Sequence, residues 1–372
     1  MSKNKKILIA TGLYPPDVGG PATYAKILAE ELPKHGFRVE IVSFGVVKHV
    51  PKIMKHFLYF FKVLKIGKHA DLIYALDPVS VGLPAAIAAG VLKKRFILRL
   101  GGDYAWEQGV QRFGVKDQLV LFSRKYLEYS IFVRILKKIQ LWVATRAEKV
   151  VVPSEYLKRV VNNWGIHKNK IEVIYSAVRK TGPLGRKDAL RKLLRFDGKL
   201  IISVGRLVPW KGFTALIEIM PNILKKNKDA KLLIIGSGPD EKKLERLIQK
   251  HNLHNNVILT GAIERSTLLR YIRASDVFVL NSGYEGLSHQ LLEVMSVGVP
   301  IVTTKAGGNP EIIQDGKEGI LVRFNNKSEL ETAILRMLRS NALTEKFVKN
   351  AKERVKKFNE QTMIKHLIEI LQ

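Results

Sequence analysis

The chain has 372 residues, beyond the roughly 250 to 300 at which a single hydrophobic core stops growing, so two domains are expected. It contains no cysteine, which excludes disulfides, thiolate metal sites and cysteine nucleophiles together and fits a reducing compartment. The 63 lysines and arginines against 33 acidic residues leave a formal charge of +30, a field that draws in anionic partners such as nucleic acid, an acidic bilayer surface or phosphate-rich small molecules.

The basic start Met1-Ser2-Lys3-Asn4-Lys5-Lys6 is followed by the short apolar run Ile7-Leu8-Ile9-Ala10, too brief for a signal-peptide core, and a cytoplasmic location is expected. Residues 6–11 read as a strand ending in a glycine-rich loop, 12–21. An amphipathic helix over 24–32 and a second strand over 38–44 complete a βαβ unit. The pattern recurs with a strand over 71–76, an alanine-rich helix over 83–93, a strand over 95–100 and another at 150–152. The apolar region 79–92 falls short of the roughly 20 residues a spanning helix needs. Between Tyr175 and Lys199 the periodicity lapses into a basic, glycine- and proline-containing stretch, read as a linker over 179–198. The plan then restarts: strand 200–204, loop 205–212, helix 213–225, strand 231–235, then strands 257–259, 277–280 and 300–302. The expected class is α/β, with two Rossmann-like, doubly wound parallel-sheet domains at 1–178 and 199–357. A C-terminal helix over 358–372 is expected to join the first. Ligands bind such sheets at the carboxyl ends of the strands, so the two domains are expected to face one another across a cleft.

Two stretches of the first domain carry a distinctive mixture. From 41 to 70 there is no acidic residue but Lys48, Lys52, Lys55, Lys62, Lys65 and Lys68, while Val50, Ile53, Met54, Phe57, Leu58, Phe61 and Leu64 share one helical face. Residues 123–149 again combine aromatics (Tyr126, Tyr129, Phe132, Trp142) with Arg124, Lys125, Arg134, Lys137 and Lys138. This is the pattern of an interfacial helix, and equally of a sheet-covering helix with a solvated basic rim.

In the second domain a strand ends at Leu280, and Glu285-Gly286 is read as leading directly into a helix that contains Glu293 and closes near Gly298. Eight helical residues rise about 12 Å, so two carboxylates would address opposite ends of an extended ligand. Between them the NH groups of Gly286, Leu287 and Ser288 would form a helix start suited to a diphosphate, which glycine lets approach closely. The same spacing also places Glu293 on a polar helix face with Gln290 and Ser296. The loop 205–212 brings Arg206 and Lys211 to one turn, a planar fork and a compact ammonium that suit a leaving diphosphate, or that are two solvated loop cations.

Taken in order, Gly205-Arg206-Leu207 with Lys211-Gly212, then Ile235-Gly236-Ser237-Gly238-Pro239, then Glu285 with Glu293, then Gly307-Gly308-Asn309-Pro310-Glu311 ahead of Asp315-Gly316, resemble the donor domain of the family-4 retaining glycosyltransferases of the GT-B fold. Tyr14-Pro15-Pro16-Asp17-Val18-Gly19-Gly20 resembles that family's first loop, and the likeness covers nearly the whole chain.

The resemblance implies a hexosyltransferase that moves a sugar from a UDP- or GDP-sugar donor to a glycan or lipid-linked acceptor, with retention and with neither metal nor cofactor. Arg206 and Lys211 would hold the diphosphate, with Gly19 and Gly20 approaching it from the first domain. Glu293 would bond the ribose hydroxyls, and Glu285 would sit by the transferred sugar. The NH groups of Gly286, Leu287 and Ser288 would face phosphate or sugar oxygens, Gly236 would line the same pocket, and the base would stack near Gly261-Ala262-Ile263, bonded by Ile263. Where many relatives carry a histidine after the fourth strand this chain reads Gly101-Gly102-Asp103; Asp103 either replaces it at the acceptor side or caps the next helix. The basic aromatic stretches would place the enzyme on the inner membrane face. Two other functions stay open on the sequence: a nucleotide-sugar epimerase of the same fold and, from the charge alone, a nucleic-acid-binding protein.

Overall fold

The computed structural model describes residues 4–17, 19–47, 50–179 and 181–372, and of Lys52 and Ile53 only the backbone. Residues 1–3, Val18, Lys48, Lys180 and the side chains of Lys52 and Ile53, all used in the sequence reading, lie outside what is described. The chain forms two compact units, Met1–Ser176 with Glu360–Gln372, and Ala177–Asn359.

Each unit is built on a six-stranded parallel sheet. In the first, β1 (Lys6–Thr11), β2 (Arg38–Ser43), β3 (Leu72–Ala75), β4 (Arg95–Arg99), β5 (Lys149–Val152) and β6 (Ile171–Val173) lie in the order β2-β1-β3-β4-β5-β6. In the second, β7 (Leu200–Val204), β8 (Lys231–Ile235), β9 (Val257–Leu259), β10 (Val277–Leu280), β11 (Ile301–Thr304) and β12 (Ile320–Val322) lie in the order β12-β11-β10-β7-β8-β9. Every residue of β7, β10 and β11 is buried, which is why these strands are mostly apolar with no alternation, only Ser203, Thr303 and Thr304 being polar: helices cover both faces of the sheet. Two cores result in the second unit, one holding Phe213, Ile217 and Leu330, the other Leu291, Met295 and Ile272.

Three boundaries differ from the sequence reading. The strands β6 and β12 have no counterpart there; each is three residues long and closes a sheet edge, β6 with Glu172 at its centre and β12 directly after the polar turn 314–319. The stretch 179–198 is not a free linker, because it contains the helix Lys187–Leu194. Leu190 enters the second unit's core, and Lys187 and Arg191 both bind the Asp276 carboxylate, at 2.7 and 3.0 Å. The helix after β10 starts at His289, not beside Glu285.

The C-terminal helix Glu360–Leu371 groups with the first unit, buried along Met363, Ile364, Leu367 and Leu371. In that unit the helix Lys52–Gly67 packs on the sheet side through Tyr59 and Val63, both fully buried, with the Tyr59 hydroxyl donating to the Val42 carbonyl at 2.7 Å. Its other apolar stripe, Met54, Phe57, Leu58 and Phe61, stays exposed.

Candidate functional site

The four motifs of the second unit meet at the carboxyl ends of β7, β8, β10 and β11, and glycine is what lets them meet. Gly236, at φ 142°, lies so close under the Gly205 carbonyl that a Cβ would collide with it. The Gly205 NH donates to Ile235 O at 3.0 Å and the Leu207 NH to Ser237 O at 2.9 Å, which laces the loops after β7 and β8 together. An antiparallel bridge, with the Gly236 NH donating to Gly261 O at 2.9 Å, adds the segment after β9.

The loop 205–212 is tied to the loop after β10 on the opposite side. The Gly283 NH donates to Trp210 O at 2.7 Å, and the Asn281 amide donates both to Gly212 O at 2.9 Å and to Asn325 Oδ1 at 2.8 Å. Gly307, at φ 61°, abuts the Glu285 main chain, and the Gly308 NH donates to Glu285 O at 2.9 Å. The paired glycines of the fourth motif therefore fix the backbone of the catalytic candidate.

On this frame Lys211 Nζ donates to Glu285 Oε1 at 2.6 Å, with both side chains only about a tenth exposed (11 and 10 %). Two opposite charges so nearly removed from water hold each other in place, since leaving either alone there is strongly unfavourable. Arg206 does not join them: it is exposed, its guanidinium carbon 5.9 Å from the Trp210 ring centroid. The two cations therefore differ, one paired with a carboxylate and the other exposed beside an indole ring.

Residues 285–288 are irregular chain, bent at Gly286 and Leu287, rather than a helix start. Gly286, Leu287 and Ser288 are buried, Leu287 in the core, and Ser288 caps the helix His289–Val297 by accepting from the Leu291 NH at 3.3 Å. The estimate of eight helical residues between the two carboxylates is corrected accordingly, because only the last five positions are helical. Glu293 sits on that helix and accepts from Arg265 Nε at 2.7 Å. Ile263 lies half-buried on the core, just beyond the Gly236–Gly261 bridge.

In the first unit, Gly19 (φ 146°) and Gly20 open the helix Gly20–Glu31, directly after the loop that leaves β1. Asp103 is fully buried and caps the helix Tyr104–Arg112: Oδ1 accepts from the Trp106 NH at 2.9 Å and from Gln140 Nε2 at 3.1 Å. Burial pushes its carboxyl above the usual range, against these hydrogen bonds. Of the two roles open for Asp103 the structure displays the cap, and a carboxylate with no exposed surface is not placed to meet an acceptor directly.

Sequence reasoning missed Arg265 and Asn281. Arg265 meets Glu293 across 28 positions, a separation with no local signature, whereas Asn281 directly after β10 is a polar residue where a buried strand ends and was open to notice.

The family model described as Glycosyl transferases group 1 matches residues 186–354, and the one described as Glycosyltransferase Family 4 matches 18–180, so that the two span most of the chain. An uncharacterized glycosyltransferase of Methanocaldococcus jannaschii is 25 % identical over 402 aligned positions, covering 99 % of this chain and 98 % of that protein. A GDP-mannose-dependent monoacylated α-(1-6)-phosphatidylinositol monomannoside mannosyltransferase of Corynebacterium glutamicum is 25 % identical over 91 % of this chain and 90 % of its own. Among solved structures, Anabaena HepE in complex with UDP-glucose superposes with a TM-score of 0.77 at 21 % identity, covering 98 % of this chain and 99 % of that one. The nucleic-acid and epimerase alternatives give way to these matches. With its two six-stranded parallel sheets and its interlocked glycine loops, the chain is a glycosyltransferase and belongs to family 4 of the GT-B fold.

Proposed function

We propose that this glycosyltransferase moves a hexose-type sugar, with retention of anomeric configuration, from a UDP- or GDP-sugar to a glycan or lipid-linked acceptor at a membrane surface. The observation that carries the reading is the nearly buried Lys211–Glu285 pair at the carboxyl ends of β7 and β10, with Glu293 on the helix that follows. Nucleotide-sugar use is supported by HepE, whose structure holds UDP-glucose, and by the corynebacterial relative, which is GDP-mannose-dependent.

In this mechanism Glu293 accepts the ribose hydroxyls, and Lys211 and the exposed Arg206 meet the diphosphate. Negative charge that develops on the leaving phosphate is neutralised by groups already in place, with no metal or cofactor called upon. Lys211 couples the two ends of the reacting bond, because the ammonium that faces the phosphate also holds Glu285 near the anomeric carbon. Glu285 then positions the sugar and stabilises its positive charge as the bond to the diphosphate breaks. The acceptor hydroxyl attacks from the face the diphosphate leaves, and the departing phosphate oxygen takes its proton, so no fixed nucleophile is needed. Gly236 and the main chain of Gly286, Leu287, Ser288 and Ile263 complete the donor contacts within the second unit.

Membrane contact rests on the first unit. Met54, Phe57, Leu58 and Phe61 are exposed on the helix Lys52–Gly67, beside the exposed Lys62, Lys65 and Lys68. The helix Gly82–Leu92 packs against it and exposes Ile87 and Val91, and the helix Ile131–Arg146 packs against that in turn and exposes Phe132, Ile135 and Trp142. Apolar side chains beside cations suit an anionic bilayer, with the enzyme peripheral on the inner face. Among the described residues no helix is long and apolar enough to cross a membrane. The test is to incubate the enzyme with labelled UDP- and GDP-sugars and a lipid-linked acceptor, and to read the anomeric configuration by NMR. Transfer with retention supports the reading, and inversion or sugar release without transfer refutes it.

A further inference from the structure

We propose that Arg265 is a positioning residue for the nucleoside end of the donor site, one that sets selectivity for a ribonucleotide by holding the Glu293 carboxylate. The inference rests on the reading of Glu293 as the ribose-binding residue.

Arg265 opens the helix Arg265–Ala274, two positions after Ile263 on the segment that leaves β9. A cation in the first turn lies at the positive end of the helix dipole, so helix formation does not account for it. Its contact does: Nε donates to Glu293 Oε1 at 2.7 Å. The Glu293 side chain is 17 % exposed, so its charge is largely out of water and gains most from a fixed partner. The segment carrying Arg265 is itself anchored, since Gly261 accepts from the Gly236 NH at 2.9 Å. The pair thus joins the loop expected to meet the base to the helix expected to meet the ribose.

The hydrogen-bond inventory agrees. An ionised carboxylate offers about four acceptor positions, and the Arg265 Nε contact uses one, so enough remain for both hydroxyls of a ribose cis-diol. On the guanidinium, Nη2 is buried and has no partner among the described residues. With Arg265 removed, Glu293 keeps its place in the chain but loses its fixed orientation, and the cost falls on the ribose hydroxyls rather than on the diphosphate or the sugar.

The test is calorimetric titration of UDP and GDP, and of their 2′-deoxy and 3′-deoxy forms, into the wild-type enzyme, Arg265→Ala, Arg265→Lys and Glu293→Ala, with turnover at saturating donor in parallel. The wild type binds the ribonucleotide more tightly than either deoxy form. Arg265→Ala should weaken the ribonucleotide about tenfold but the deoxy forms by about twofold or less, so that selectivity collapses. Arg265→Lys should recover part of the selectivity, and kcat of Arg265→Ala at saturating donor should stay within about twofold of wild type, with KM carrying the loss. Equal weakening of ribo- and deoxynucleotides by Arg265→Ala, or no weakening while Glu293→Ala binds poorly, overturns the inference and leaves the ribose reading intact. Unchanged nucleotide affinity in Glu293→Ala overturns the ribose reading itself, and the inference with it.

Discussion

The carboxyl ends of the two sheets are built from opposite materials. In the second unit, Gly205, Gly236, Gly307 and Gly308 bring main chains into contact, and two ion pairs, Lys211–Glu285 and Arg265–Glu293, are set into that frame. In the first unit the groups around Gly19, Gly20 and Asp103 form helix starts and caps, and the feature that stands out lies on the covering helices, where Phe57, Phe61 and Phe132 face solvent among lysines. On the proposed function, the difference teaches how each partner would be recognised. A nucleoside diphosphate is small and polar and needs rigid loops with charges at fixed points, whereas a lipid-linked acceptor can be gathered by a surface that is merely apolar and basic.

The largest effect that would sharpen this contrast is expected at Glu285. Glu285→Ala should lower turnover about a hundredfold or more, as removal of one preorganised electrostatic group does; near-normal turnover would remove Glu285 from the chemistry. Lys211→Ala should lower turnover comparably and, by stranding a nearly buried carboxylate, destabilise the second unit by about 3 kcal/mol, read from denaturant unfolding. A Lys211→Ala enzyme as stable as wild type would show that the pair does not hold the loop. For the first unit, Phe57→Ser with Phe61→Ser should reduce binding to anionic vesicles about tenfold while leaving transfer to a soluble acceptor unchanged; undiminished vesicle binding would dissolve the comparison. The smallest effect is expected at the helix start. Asp103→Ala should cost about 1 kcal/mol as a lost cap and leave turnover per folded molecule near wild type, with Asp103→Asn milder still. A turnover loss far beyond the stability loss would restore Asp103 to the acceptor side.

The fold was legible because buried parallel strands such as β7 and β10 are written as short, mostly apolar runs, and glycine loops punctuate them. The edge strand β6 escaped because Glu172 interrupts its apolar run, and β12 because its three residues directly follow the polar turn 314–319. The helix Lys187–Leu194 was hidden by its basic composition, which reads as linker until Asp276, 85 positions beyond Arg191, is seen to receive it. In the site the residue types were legible and their pairings were not. Arg206 and Lys211 look equivalent in one loop, yet only Lys211 meets Glu285, a partner 74 positions away. The helix start was misplaced because Gly286 suggested a close approach to phosphate, while the capping hydroxyl belongs to Ser288. Phe57 and Phe61 were assigned to the right stripe, but only the burial of Tyr59 and Val63 on the other side shows that the stripe is left uncovered.

The account stands on a donor laid out between two carboxylates, Glu285 at the sugar end and Glu293 at the ribose end. Its most direct test is calorimetric titration of one nucleoside diphosphate, lacking the sugar, into the wild-type enzyme, Glu285→Ala and Glu293→Ala. The account predicts that Glu285→Ala still binds the nucleotide, its unpaired Lys211 left to meet the diphosphate, and that Glu293→Ala binds it about tenfold more weakly than wild type. Equal weakening in both, or weakening in Glu285→Ala alone, would contradict it.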